Sequence, residues 1–313
     1  MLYTGGIIKI RSLKQKQNVS LYCKIKWQLC LCLLLALAAC NQSDQVTQKQ
    51  IVLEDDLGRE VKLNRQPKRV MALATSMTEM LFAVLDTSTI VGRTQNDDYP
   101  AAALTKPVVN NYPVDYEQVL RLKPDLIFTV EGITPLDVAA RLEELGIPVF
   151  YQRYETVEDI FTALEDIGQL MGREQQAEHL ADSLREQVAQ IKARHQQQEQ
   201  PLRVLGLAGY DPIYVYGHNT AITDKLRILG AENVVEETYE PLTREYILKS
   251  NPDVVLGGTP QELEESFFSI YPELRKTNAY QNRRLYAPTT DLMARPSPRV
   301  VESIRELERF LYP

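Results

Sequence analysis

The 313-residue chain is 44% hydrophobic and 25% charged, an ordinary globular composition that excludes a disordered, collagenous or multi-span membrane protein. Its length exceeds that of a usual single core and suits two lobes. Net charge is −7, and six of the 35 bases (Lys9, Arg11, Lys14, Lys16, Lys24 and Lys26) lie in the first forty residues, which hold no acid. The remainder, at −13, repels phosphate backbones, so nucleic acid is not expected as a partner. In chain order, the basic stretch ends at Lys26, an apolar run covers Leu29 to Ala39, and Cys40 follows. That run is too short for the about 20 residues of a spanning helix and suits the core of a signal peptide. Asn41 to Gln50 is polar and reads as a tether. All four cysteines (Cys23, Cys30, Cys32 and Cys40) and the only tryptophan, Trp27, lie in this leader. The body therefore has no disulfide framework, no CxxC metal site and no cysteine nucleophile.

Ile51 to Leu63 reads as a hairpin turning at Asp56-Leu57-Gly58. Pro67 to Ala74 is an apolar strand. Ser76 to Leu85 follows as a helix, with Ser76 as N-cap and Glu79 completing a capping box. The strand returns at Pro201 to Ala208, an offset of 134. A second pair matches at an offset of 128: Glu117-Gln118-Val119-Leu120 leading to Pro124-Asp125, and Glu245-Tyr246-Ile247-Leu248 leading to Pro252-Asp253. Each reads as a short helix, a proline stop and a buried strand, so the pairs predict two similar α/β lobes. Further strands are expected at Asp125–Val130 and Pro148–Tyr151, and helices at Leu136–Leu145 and Val157–Met171. Between the lobes, Arg173 to Gln198 holds no Pro or Gly, and Ala177, Leu180, Ala181, Leu184, Val188 and Ile191 make one face apolar. Such a helix spans about 39 Å and joins the lobes stiffly. The fold class is α/β: two Rossmann-like lobes joined by one long helix. The segments are a signal peptide (1–40), a tether (41–50), an N-terminal lobe (51–172), a linker helix (173–200) and a C-terminal lobe (201–313).

Several marks carry a resemblance. Leu37-Ala38-Ala39-Cys40 resembles the lipobox of bacterial lipoproteins, which implies lipidation at Cys40. Arg69-Val70 with Thr78-Glu79, the Asp98-Tyr99-Pro100 loop, Glu117 through Pro124-Asp125, and Arg295-Pro296-Ser297-Pro298-Arg299 come in order and at family-like spacing. Over residues 51–313 the chain resembles ABC-importer substrate-binding lipoproteins of the class that carries ferric siderophores, haem or cobalamin. The resemblance implies an exported, membrane-anchored monomer facing the periplasm or cell exterior. It would capture an iron complex or corrinoid and hand it to a permease dimer with its ATPase subunits. No resident cofactor or metal is expected. One surface glutamate per lobe docks on the permease in that family, and the matched positions here are Glu117 and Glu245. The helix dipole alone also favours an acid in each first turn.

Ligands of open α/β sheets sit outside the carboxyl ends of the strands. The corresponding loops are Thr75–Met77, Gln95–Tyr99, Asn110–Tyr112, Glu131–Gly132, Gly209–Tyr214, Tyr239–Pro241, Gly258–Thr259 and Thr290–Arg295. Candidate ligand residues are Tyr99, Tyr112, Tyr210, Tyr239, Asp291 and Arg295, with Tyr214 nearby. Tyrosines offer flat apolar area with one hydrogen-bonding end, which suits a large planar ligand. Asp291 falls where the family's cobalamin binders carry an aspartate, but the body lacks the tryptophans that line their cleft. Anionic catecholates would need convergent arginines, for which Arg93, Arg153 and Arg295 are available. No Gly-x-Ser-x-Gly elbow, phosphate loop or dinucleotide fingerprint is present, so no catalytic residues are expected. The rival readings are a zinc or manganese binder, for which His179, His195 and His218 are few and badly placed, and a non-transport lipoprotein of the same fold.

Overall fold

The computed structural model describes residues 50–195, 200–235 and 241–313. The expected signal peptide with Cys40, all of the tether but Gln50, and Tyr239 lie outside the described residues. The first element is an antiparallel hairpin, β1 (Ile51–Glu54) with β2 (Glu60–Leu63), whose turn places Gly58 at φ +74°. A side chain is strained in that region, so glycine is the residue that fits.

The N-terminal lobe runs β3 (Val70–Ala72), α1 (Thr75–Val84), β4 (Ile90–Thr94), β5 (Val108–Val109), α2 (Tyr116–Leu122), β6 (Leu126–Val130), α3 (Leu136–Glu144), β7 (Val149–Gln152) and α4 (Val157–Met171). Its five strands are parallel in the order β5-β4-β3-β6-β7, the doubly wound order with the first strand central. All of β3 and most of β6 are buried, as parallel strands covered on both faces must be. Then comes α5 (Glu174–His195). The C-terminal lobe follows with β8 (Arg203–Gly209), β9 (Tyr214–Val215), α6 (Ala221–Ile228), β10 (Glu232–Asn233), α7 (Arg244–Ser250), β11 (Val254–Leu256), α8 (Pro260–Glu265), α9 (Phe267–Ile270), α10 (Asn278–Gln281), β12 (Leu285–Tyr286), α11 (Thr290–Ala294) and α12 (Val300–Leu311). Here β10-β8-β11-β12 are parallel and β9 pairs β8 antiparallel.

The internal repeat extends to individual hydrogen bonds. Val70 pairs Leu126 in one sheet, and Val204 pairs Val254 in the other. The Asp125 amide donates to the Arg69 carbonyl at 2.6 Å, and the Asp253 amide donates to the Arg203 carbonyl at 2.7 Å. Both aspartate carboxylates accept back from the same arginine's amide. Helices α2 and α7 each end on a residue in the left-handed region, Lys123 and Asn251, just before the Pro-Asp pair.

Helix α5 buries Ala177, Ala181, Leu184, Val188 and Ile191 in a core that continues from β3, α1 and α4 to β8, α6 and α12, so the lobes share apolar interior. Arg185 binds Glu158 and Glu165 of the first lobe, while Arg194 and His195 bind Glu308 of the second. Gly168 lets α4 close on α5, since a Cβ there would stand 2.5 Å from that of Ala177. A further bond between lobes runs from the Val157 amide at the start of α4 to Asp224 on α6, at 2.9 Å.

Two local expectations need correction. Helix α1 begins at Thr75, and its N-cap, Ala74, makes no side-chain cap bond. The expected Ser76–Glu79 capping box is absent because Glu79 is drawn elsewhere by stronger, charged partners. Consequently Thr75–Met77 is the first turn of a helix and not a loop, and most of Thr290–Arg295 is likewise helical.

Candidate functional site

In both lobes the loops after the parallel strands leave the carboxyl edge of the sheet, so the segments carrying Tyr99, Tyr112, Tyr210, Asp291 and Arg295 lie at the edges where ligands of such sheets bind. One cluster joins the two edges. The Arg295 guanidinium reaches Asp291 of its own lobe at 2.9 Å and, in the other lobe, Asp98 at 2.8 Å and Glu79 at 3.3 Å. Arg299, one turn on, grips Glu79 with two bonds, at 2.8 and 2.5 Å. Its guanidinium also lies over the Tyr99 ring, 4.1 Å from the centroid, in cation–π range. The Glu79 side chain is only 1% exposed, and those of Arg295 and Arg299 are 17% and 15% exposed. A buried carboxylate needs such partners to remain charged.

The electrostatics follow from the pairing. Asp98 has its carboxyl pKa lowered chiefly by its hydrogen bond to Arg295. Burial alone would lower the pKa of Arg295, but Asp98, Asp291 and Glu79 outweigh it and hold the guanidinium above its usual range. The Glu79 bond does the same for Arg299. Behind the cluster, Asp97 is fully buried, accepting from Thr78, the Thr94 hydroxyl and the Thr94 amide, which fixes the Gln95–Tyr99 loop.

Lys225 on α6 supports the other side. It is completely buried, and its ammonium donates to the Leu292 and Met293 carbonyls at 3.1 and 3.0 Å and to the Ser303 hydroxyl at 3.0 Å. The carbonyls are those left without helical partners near the end of α11. Lys225 thereby anchors the short helix that carries Asp291 and leads into Arg295. Burial, opposed by the charge of Glu306, pulls its pKa down to about 7.

The tyrosines divide by exposure. Tyr112 is 83% exposed, and Tyr99 and Tyr214 are also exposed. Tyr210 is half-buried: its hydroxyl donates to the Gly257 carbonyl at 2.8 Å, and burial, with the charge of Glu262, pushes its pKa up. The Tyr210 hydroxyl already has a partner, which leaves its ring as the part a ligand could meet. Tyr239 lies outside the described residues. The structure thus brings Asp291, Arg295 and Tyr99 into one cluster, with Tyr112 on the loop after β5 and Tyr210 after β8.

The arginines proposed for anions are committed elsewhere. Arg93 turns inward to the carbonyls of Thr94, Gln95 and Asp97. Arg153 forms a two-bond pair with Glu131. Among the described residues no group of three or more His, Cys, Asp or Glu could hold a metal ion. His195 is stacked on Tyr312 and bonded to Glu308.

Glu117 and Glu245 occupy equivalent places. Each is exposed in the first turn of a seven-residue helix, capped by Asp115 and Thr243 respectively. A helix that follows a parallel strand starts on the carboxyl side of the sheet, so both glutamates lie on that side. Glu245 carries a local partner, Arg244 at 3.1 Å.

Glu79 and Arg299 are ionic contacts that reading the sequence as helix caps did not find. The available signal was a carboxylate set among Met77, Met80 and Leu81, a stretch too apolar to leave a charge unpaired.

The profile of the family described as "Periplasmic binding protein" matches residues 70–292. An uncharacterized ABC transporter substrate-binding lipoprotein, YvrC of Bacillus subtilis (strain 168), is 27% identical over 304 residues, covering 92% of this chain and 96% of its own. A vitamin B12-binding protein of Vibrio parahaemolyticus is 24% identical, covering 78% of this chain and 89% of its own. Among solved structures, a possible iron-binding (periplasmic solute-binding) protein from Staphylococcus epidermidis superposes with a TM-score of 0.71 at 27% identity, covering 80% of this chain and all of its own.

Proposed function

The chain belongs to the family of periplasmic binding proteins, and on that premise we propose what it binds and whom it serves. It captures an iron complex (a ferric siderophore or haem) or a cobalamin-type corrinoid between its lobes, and releases it to the permease dimer of an ABC importer driven by its ATPase subunits. The observation that carries this reading is the cluster at the facing sheet edges. Arg295 ties Asp291 of one lobe to Asp98 of the other, beside the exposed ring of Tyr99. Such a site offers aromatic area and a few oriented polar groups, the usual makeup of a small-molecule site. Calorimetric titration of the mature protein with members of these ligand classes tests it; binding lost in both Tyr210→Ala and Asp291→Ala supports this cleft, and binding kept in both argues for another.

Glu117 and Glu245 serve as the docking pair in this proposal. A pseudo-symmetric binder meeting a two-fold permease needs matched anchors, and both glutamates stand on the carboxyl side of their sheets. Reversal of both to Lys should abolish uptake and leave ligand affinity unchanged, since like charges would then meet at the interface. Uptake retained in the double variant would remove them from docking. The protein is held at the membrane through lipid on Cys40; mass spectrometry of membrane-extracted protein should find a modified N-terminal cysteine, and a chain starting at Met1 would contradict it.

A further inference from the structure

From the pairing of the arginines we infer that the cleft selects a neutral or cationic ligand bearing N–H donors, and discriminates against polyanionic iron complexes. The inference rests on the capture proposed above and narrows its ligand. Arginine is the residue that recognises ligand carboxylates and catecholates, because its planar fork can give two parallel bonds. Each arginine at this cleft has already given that fork away. Arg295 is shared by Glu79, Asp98 and Asp291. Arg299 is closed on Glu79 by two bonds, with its face against Tyr99. Arg93 points to backbone carbonyls, and Arg153 is paired with Glu131.

An anionic ligand could recruit Arg295 only by displacing Asp98 or Asp291 from it, and Arg299 only by displacing Glu79. That carboxylate is buried at 1% exposure and has no water to return to, so its release is strongly unfavourable. What the cluster turns outward has the opposite sign: Asp98 is 62% exposed and Asp291 is 40% exposed. Counting Arg295 and Arg299 against Glu79, Asp98 and Asp291, the bridge between lobes is net negative. Free carboxylate oxygens accept hydrogen bonds and cannot donate them. They suit a ligand whose periphery donates, such as the carboxamide rim of a corrinoid or the amide backbone of a hydroxamate complex, and they repel catecholate oxygens and propionates.

The test is calorimetry of the mature full-length protein with four probes: cyanocobalamin, a neutral ferric trihydroxamate, a trianionic ferric tricatecholate and haemin. The expected result is that the better of the two neutral probes binds at least about 100-fold tighter than either anionic one. Tighter binding of the tricatecholate or haemin overturns the inference and leaves the capture reading intact. Failure of all four to bind overturns the capture reading and the inference with it. In the Asp98→Asn/Asp291→Asn variant, shown folded by its melting transition, the preference should narrow at least about tenfold; an unchanged ratio would remove these carboxylates as its source.

Discussion

Glu79→Gln removes one charge and changes almost nothing in shape. In the native protein its carboxylate takes two bonds from Arg299 and one from Arg295. Glutamine retains one acceptor oxygen but leaves Arg299 without a counter-ion, and that side chain is only 15% exposed. Breaking one partner of a buried pair destabilises by about 3–5 kcal/mol, because the remaining charge stays desolvated. About 260 residues belong to the folded body, and unfolding entropy near 2.1 cal/mol/K per residue gives about 0.55 kcal/mol/K for the whole. The expected loss in Tm is therefore about 5–9 °C. Differential scanning calorimetry at pH 7.5 measures it, and the loss should persist in 0.5 M salt, since buried pairs are little screened. Glu117→Gln, at an exposed position, is the control and should move Tm by less than about 1 °C. A Glu79→Gln shift no larger than that control would refute the argument that the two lobes are joined through this carboxylate.

Other outcomes follow from the same structure. Burial and the charges of Asp56 and Glu165 push the Asp166 carboxyl up to about 7; between about pH 4 and pH 7 the native state keeps a proton the unfolded chain has lost, so this group's contribution falls as pH rises and is flat above. Asp166→Asn should therefore match the wild type near pH 4 and gain up to about 4 kcal/mol by pH 8, and an equal Tm difference at both pH values would be the wrong result. Gly168→Ala should lower Tm through its overlap with Ala177, with part of the loss recovered in Gly168→Ala/Ala177→Gly; an unchanged Tm in the single variant would show that the helices can separate there. Ligand binding should rotate the lobes only slightly, because α5 is bonded at its middle to Glu158 and Glu165 and near its C-terminal end to Glu308; scattering curves of free and bound protein that differ as those of a hinge-closing binder do would contradict this.

What the sequence disclosed was periodic or repeated. The two Pro-Asp turns stand in matching text, and the structure shows them matched in hydrogen bonding as well. The apolar stripe from Ala177 to Ile191 has helical spacing, and it is buried as one face. Ionic partners have no period. Glu79 and Arg299 are 220 residues apart, and locally Glu79 sits three residues after a serine, where a capping box is the nearest explanation. Nothing local marks Lys225, whose partners come from α11 and α12, more than sixty residues away in sequence. The tyrosines were readable as a group because they follow strand ends, but not individually. Only tertiary packing shows that the Tyr210 hydroxyl is committed to Gly257 and that Tyr112 is open.

The large coloured ligand proposed to bind between the two lobes can be detected by gel filtration of the mature protein with visible-absorbance monitoring. After incubation with each candidate iron complex and corrinoid, at least one ligand should co-elute with the wild-type protein at one equivalent. The same ligand should be lost from a folded Tyr99→Ala/Asp291→Ala variant, whose changes lie on opposite lobes. A protein that elutes colourless with every candidate, or a double variant that retains the full equivalent, would contradict the account.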